Sequence, residues 1–291
     1  MPDTPDINIV FFGSSSFSIF CLEELKKHNL LPALIITTPD KPVGRGLKME
    51  ANPVKTWAEA NNIECLTPNR LDSEFVSQLT PHNCNLALVA SYGKIIPASV
   101  IDLPKYGTLN IHPSLLPKYR GPSPLQKQII NDEQNIGVTV MKIDEQVDHG
   151  AIVAQEKMPE VLNHMKEPVS FDQLEIELAT AGIKLFIKIL PDWIEGKIKA
   201  TEQNHAEATF TKKILKSDGE LDIESGGHYK NYLKYLAYAD WPQTYFFVEK
   251  NGIKIRVKIK EAEFTNNLFV IKKVLPEGKK EMNYEDFLRG L

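Results

Sequence analysis

Over roughly the first two hundred residues, short β-branched apolar runs alternate with stretches whose apolar positions recur at a helical period. That alternation predicts βαβ units and a parallel sheet. Residues 7–12 read as a first buried strand, followed by a Gly13-Ser-Ser-Ser turn and a helix over 16–28. Further strands are expected at 32–38, 64–67, 86–91 and 107–112, with a helix over 53–61, and 137–143 and 152–156 extend the same sheet. The period over 170–196 predicts one long amphipathic helix closing the domain. A polar, aperiodic stretch at 197–208 reads as a linker. Beyond it the pattern turns β-rich, with strands at 244–250, 253–264 and 268–275 and a short helix at 226–239. The run Ile253-Lys-Ile-Arg-Val-Lys-Ile-Lys260 alternates without a fault. It sets Ile253, Ile255, Val257 and Ile259 toward a core and Lys254, Arg256, Lys258 and Lys260 on the other face. The expected architecture is an α/β domain over residues 1–200, doubly wound around a mostly parallel sheet, and a smaller β domain over 207–291.

A chain of 291 residues is long enough for one large core and one small one. Its 42% hydrophobic and 25% charged content is that of an ordinary globular protein. Apolar runs such as Ile7–Phe12 stop far short of a membrane span, and the opening Met-Pro-Asp-Thr-Pro-Asp does not read as a signal peptide. Three cysteines (Cys21, Cys65, Cys84) without CxxC spacing point to a reduced cytoplasm, with neither a disulfide frame nor a zinc site. A net charge of −4 argues against a protein that coats nucleic acid by bulk attraction. The balance shifts along the chain: 19 basic against 24 acidic side chains up to Ala200, then 15 against 14. This leaves room for a local basic patch in the C-terminal part.

The chemistry concentrates in Asn110-Ile-His112-Pro-Ser-Leu-Leu-Pro-Lys-Tyr-Arg-Gly121. Period-2 geometry puts Asn110 and His112 on one side of a strand end, just before a Pro-broken loop. In open α/β sheets ligands bind at the carboxyl ends of strands. An amide and an imidazole side by side there can stabilise the oxygen of a carbonyl under attack. Val147-Asp148-His149-Gly150 adds a carboxylate that could relay a proton from an attacking amine. Each residue alone has a plainer reading, since a strand-end histidine is often structural and Asp before Gly is ordinary turn chemistry.

Taken together, Asn110, His112 and Asp148, with Ser114, Leu115, Leu116 and Pro117 between them, resemble the triad and SLLP motif of the folate-dependent formyltransferase superfamily. Phe11-Phe-Gly13, Thr38-Pro-Asp40, Gly44-Arg-Gly46, Pro53-Val-Lys55, Tyr92-Gly93, Gly278-Lys-Lys280 and Met282 extend the resemblance over most of the chain, toward its methionyl-tRNA formyltransferase branch. The resemblance implies transfer of a formyl group from 10-formyltetrahydrofolate to the α-amino group of methionine on initiator tRNA, by a cytoplasmic monomer that needs no metal. It implies folate contacts at Ser91, Tyr92, Gly93, Ile143 and Asp144, a methionine pocket near Phe17, and tRNA contacts from Arg45 and Lys48 in a basic insertion. It also implies an OB-like C-terminal module. Only three strands of that module are evident, so it reads as shortened, with Lys254, Arg256 and Lys258 facing tRNA or serving only as the wet side of a strand. Two other readings use the same residues: formylation of a nucleotide-linked amino sugar, and a noncatalytic RNA-binding protein on the same fold.

Overall fold

The computed structural model describes residues 7–43, 48–158 and 168–291. The N-terminal part is built on strands β1 (Ile9–Gly13), β2 (Leu34–Ile36), β5 (Glu64–Leu66), β6 (Leu86–Ala90), β7 (Thr108–His112), β8 (Gly137–Lys142) and β9 (Ile152–Lys157). They form one sheet in the order β5-β2-β1-β6-β7-β8-β9. The first five run parallel; β8 and β9 are antiparallel to their neighbours. Every residue of β1, β6 and β7 is buried. That is the condition of strands covered on both faces, and it explains why β1 and β6 read as unbroken apolar runs; β7 buries Thr108, Asn110 and His112 among its apolar residues.

Helices α1 (Ser16–Lys27), α2 (Pro53–Ala60), α3 (Ser73–Leu79), α4 (Ala98–Ile101) and the long α6 (Phe171–Ile194) lie along the same part of the chain. The expected elements fall within a few residues of those observed. The short helices α3 and α4 were not evident from the pattern, being too brief to show a period. Gly182 lets α6 approach the sheet, for a Cβ there would meet Ile111 Cγ2 at 2.3 Å and Val138 Cγ2 at 3.0 Å. Helix and strand therefore touch directly at β7, which carries Asn110 and His112.

The stretch 38–53 forms an antiparallel ribbon of β3 (Lys41–Val43) and β4 (Lys48–Glu50). Its stem is clamped: Lys55 Nζ meets Asp40 Oδ2 at 3.0 Å, and Asn52 Nδ2 donates to Thr38 Oγ1 at 2.9 Å. Asn52 also caps α2 through Val54 N–H at 2.9 Å. The Thr38-Pro-Asp40 and Pro53-Val-Lys55 motifs thus hold the base of this insertion. Arg45, with Gly44 and Gly46, lies outside the described residues.

By compactness the chain divides into two units. One runs to Pro122 and takes in Asn135–Met158 and Glu175–Phe210; the other holds Ser123–Gln134, the stretch ending at Leu174, and Thr211–Leu291. The second unit contains α5 (Pro124–Ile130), α7 (His228–Ala237), α8 (Tyr284–Arg289) and a four-stranded antiparallel sheet. Its strands β10 (Tyr245–Lys250), β11 (Ile253–Thr265), β12 (Leu268–Pro276) and β13 (Met282–Asn283) follow in sequence order. The three longer strands are those the alternation predicted, and only the two-residue β13 is added. The described strands number one fewer than a full OB barrel, in keeping with the expected shortening. Val257 and Ile259 are buried with Tyr232, Phe246 and Phe269, whereas Ile253 at the hairpin end is 65% exposed.

Candidate active site

Asn110 and His112 are 9% and 4% exposed, on the same side of β7 near its carboxyl end. At the adjacent carboxyl ends of β1 and β6, Ser14 ties two turns together. Its N–H donates to Ser91 O at 3.1 Å and its hydroxyl to Tyr92 O at 2.7 Å. Ser18 Oγ accepts from the N–H groups of Ser14 and Ser15 and donates to Ala90 O at 2.6 Å. Gly13 is required in that turn, because a Cβ there would lie 2.6 Å from Phe11 and Ser18. Ser14 and Ser18 thus tie the strand-end cluster together; the sequence marked the first only as part of a turn and the second only as part of a helix.

His112 is held at both ring nitrogens. Nε2 lies 3.0 Å from Tyr119 O, and Nδ1 lies 3.6 Å from Asp148 Oδ1. A carbonyl only accepts, so Nε2 carries a proton and the Nδ1 edge faces the carboxylate. Asp148 Oδ2 in turn accepts the Gly121 N–H at 2.6 Å. Topology alone would not bring these groups together. Because β8 is antiparallel to β7, Lys142 at its end pairs with Leu109, three residues before His112. That is about 10 Å back along the strand. The loop after Lys142 returns along β7 to deliver Asp148.

The Ser114–Pro117 motif shapes the intervening loop. Ser114 Oγ donates to Lys118 O at 2.7 Å. Thr139 Oγ1 donates to Ser114 O at 2.6 Å and accepts from Leu116 N–H at 3.2 Å and Gln155 Nε2 at 2.9 Å. Leu116 is buried, and Leu115 and Pro117 are half-buried. Among the described residues, Ser91, Tyr119 and Gln243 are the left-handed positions not occupied by Asn, Asp or Gly. Ser91 and Tyr119 belong to this cluster, and Asp148 has φ +50° as well. Such unfavoured backbone persists where surrounding contacts over-determine it, often at functional sites.

Ser91, Tyr92 and Gly93 form the turn after β6, with Ser91 and Gly93 exposed. Tyr92 sends its ring into the core, 5.4 Å edge-on from Phe12, and burial pushes its hydroxyl up to about 12. Only its backbone is left to face a ligand. Ile143 N–H donates to Thr108 O at 3.0 Å, and Asp144 Oδ2 meets His149 Nδ1 at 2.7 Å. Phe17, in the first turn of α1, is 3% exposed. Lys48 is the first residue of β4.

Residues 201–208, expected as part of a linker, are instead bound, with Thr209, against β9 and the loops that carry Tyr119 and Asp148. Thr201 and Ile152 exchange two backbone hydrogen bonds at 2.8 Å, and Thr209 bonds to Pro117 O, Tyr119 N and Arg120 N. Gln203 Nε2 donates to Asp148 O and Gly150 O. A polar, aperiodic segment has no sequence signal to separate a free linker from one whose polar groups all serve another loop.

On β11 the cations are not simply solvated. Lys254 Nζ lies 4.0 Å from the Phe247 ring centroid, Arg256 sits 3.8 Å over Tyr245, and Lys258 donates to Gln243 Oε1 at 3.2 Å. Desolvation, then the neighbouring Arg256 and Lys260, holds Lys258 below the usual lysine range.

The family model described as formyl transferase matches residues 7–190. A methionyl-tRNA formyltransferase of Lachnospira eligens is 32% identical over 311 residues, covering 98% of this chain and 96% of that one. One from Thermus thermophilus is 31% identical, with the same shares covered. Among solved structures, a methionyl-tRNA formyltransferase from Clostridium thermocellum superposes with TM-score 0.58 at 18% identity, over 93% of this chain and 98% of that one. HypX from Aquifex aeolicus in complex with tetrahydrofolic acid superposes with TM-score 0.66 at 16% identity, over 98% of this chain and 47% of that one. A sugar N-formyltransferase from Shewanella sp. gives TM-score 0.60 at 17% identity, over 85% of this chain and 95% of that one. At such identities the structural likeness speaks to fold.

Proposed function

The chain belongs to the formyl transferase family, and from that premise we propose that it transfers the formyl group of 10-formyltetrahydrofolate to the α-amino group of methionine on initiator methionyl-tRNA, in the cytoplasm. The observation that carries this choice of acceptor is the near-complete alignment with methionyl-tRNA formyltransferases at 31–32% identity, reaching through the C-terminal unit. The buried His112, flanked by Tyr119 O on one ring nitrogen and by the half-buried Asp148 carboxylate on the other, argues for an enzyme over a noncatalytic binding protein on the same fold.

The donor lies against the turn Ser91–Gly93 and the loop Ile143–Asp148, which meet around Asn110 and His112 in this reading. The methionine amine attacks the formyl carbon, and the carbonyl oxygen becomes an oxyanion. The Asn110 amide and a protonated His112 stabilise it; donors already fixed in place need not reorganise as charge develops. Tyr119 O holds the Nε2 edge of His112, so its Nδ1–H is the donor left for the oxyanion, and Asp148 accepts the proton that leaves the amine through water. Collapse of the intermediate breaks the bond to folate N10, which takes up a proton, and leaves N-formylmethionyl-tRNA. Phe17 contributes to the wall near the methionine side chain. Arg45 and Lys48 on the β3–β4 insertion, and Lys254, Arg256 and Lys258, contact tRNA. The protein acts as a monomer.

The test offers the protein 10-formyltetrahydrofolate with either charged initiator tRNA or a nucleotide-linked amino sugar. Formyl product on the tRNA is expected; product on the sugar alone would reassign the acceptor.

A further inference from the structure

Three consecutive residues, Tyr119 to Gly121, reach both members of the catalytic pair. Tyr119 O takes His112 Nε2, and Gly121 N–H donates to Asp148 Oδ2. Arg120, between them, turns inward and is 3% exposed. Its Nε and Nη2 donate to Gln203 Oε1 at 3.1 and 2.6 Å. Gln203, 4% exposed, presents its other end to the turn that carries Asp148: Nε2 donates to Asp148 O at 3.0 Å and to Gly150 O at 2.8 Å. The amide orientation follows from chemistry. A guanidinium only donates and a carbonyl only accepts, so Oε1 must face Arg120 and Nε2 must face the turn.

The same arginine steadies the residue after Asp148. Arg120 Nη2 lies 2.8 Å from His205 Nδ1, whose ring stacks on His149 at 4.1 Å with the planes 3° apart. Gly150 packs its backbone directly against the end of β8, since a Cβ there would lie 2.1 Å from Lys142 O. All of these contacts fall within the first unit.

We propose that Gln203, oriented by Arg120, is a positioning residue for formyl transfer: its two donors hold the Asp148–Gly150 turn so that the Asp148 carboxylate stays on His112. The inference rests on the formyl-transfer reading and deepens it. The loop after β8 starts at the far end of β7, and Asp148 has left-handed backbone. Beside the Gly121 N–H on the carboxylate, Gln203 pins this end of the loop at the main chain without occupying the carboxylate.

In steady-state formylation of charged initiator tRNA, Gln203→Ala is expected to lower kcat about ten- to a hundredfold, the scale of a small misplacement of catalytic groups. KM for either substrate should stay within about twofold of the parent. In an Asp148→Ala background the same change should alter the residual kcat by less than about twofold, because the group being positioned is gone. Equal losses in both backgrounds, or a loss confined to KM, overturn the proposal. Imidazole NMR of the substrate-free protein reads the same geometry with no acceptor present. The His112 resonance, assigned with His112→Asn, should move in Gln203→Ala toward its position in Asp148→Ala; an unmoved resonance also overturns the proposal. This measurement decides the role of Gln203 even if the parent formylates no tRNA, an outcome that would sink the acceptor reading instead. Should Gln203→Ala fail to fold, Gln203→Glu keeps an acceptor for Arg120 but sets an oxygen against the two carbonyls, and the same criteria apply to it.

Discussion

Gly121 donates its backbone N–H to Asp148 Oδ2 at 2.6 Å across 27 residues of chain, leaving Oδ1 to face His112 Nδ1 at 3.6 Å. One carboxylate thus receives a fixed main-chain donor and an imidazole at once. The main-chain bond orients it and leaves its other oxygen toward the imidazole edge.

Asn110→Ala, His112→Ala and Asp148→Ala are each expected to lower turnover on the order of a hundredfold or more, as loss of one oxyanion donor does. The residues act together, so double variants should lose far less than the product of the single losses. Single-turnover formylation with matched circular dichroism separates chemistry from folding. Near-parental turnover in any one variant would remove that residue from the mechanism.

Thr139 is fully buried, and its hydroxyl serves Ser114 O, Leu116 N–H and Gln155 at once. Thr139→Val keeps the shape and leaves those groups without the hydroxyl, which costs about 1–3 kcal/mol. Urea unfolding should show that loss. Turnover should fall as well, since the same loop carries the Tyr119 carbonyl that holds His112. A variant as stable as the parent would mean the loop finds other partners.

Replacing Lys254, Arg256 and Lys258 together by Gln is expected to raise the tRNA KM and leave kcat at saturating tRNA little changed. For every tRNA phosphate that these cations neutralise in the parent, the slope of log affinity against log salt should become shallower by roughly 0.7–0.9. Two of the three cations lie over Phe247 and Tyr245, and a cation on a ring face is worth about 0.5–1 kcal/mol at an exposed site, so some loss of stability should accompany the change. An unaltered salt slope would assign the face to packing alone.

Glu24 loses hydration through burial, which raises its pKa. Hydrogen bonds and charge from Lys27, a hydrogen bond from His28 and charge from Lys184 outweigh that, and hold it below the usual carboxylate range. A carboxyl with a lower pKa folded than unfolded adds stability above its unfolded value, about 4.3. The contribution fades as pH falls through the folded value and is absent below it. Glu24→Gln should therefore destabilise at pH 7, with the difference from the parent shrinking in acid. Thermal unfolding at a series of pH values checks this; a gap independent of pH would point to packing.

The local pattern of this chain was enough to mark the strands of its main sheet, its long helix and the three main strands of the C-terminal sheet, while the candidate triad came from the resemblance of its residues to a known motif. Each of those signals is short-range. The buried strands β1 and β6 are apolar runs, the face of β11 alternates, and Asn110 and His112 sit two apart on one strand. What connects elements was not legible in the same way. That Asp148 reaches His112 depends on β8 running antiparallel and on a loop that doubles back. Strand direction leaves no mark in the apolar pattern of a strand. Nor could residues 201–209 be told from a linker, because Gln203 and Thr209 are ordinary polar residues until the loops bearing Asp148 and Tyr119 arrive to bond them. Period and propensity decided the elements; the pairing of buried polar groups, settled only when distant segments meet, decided the site.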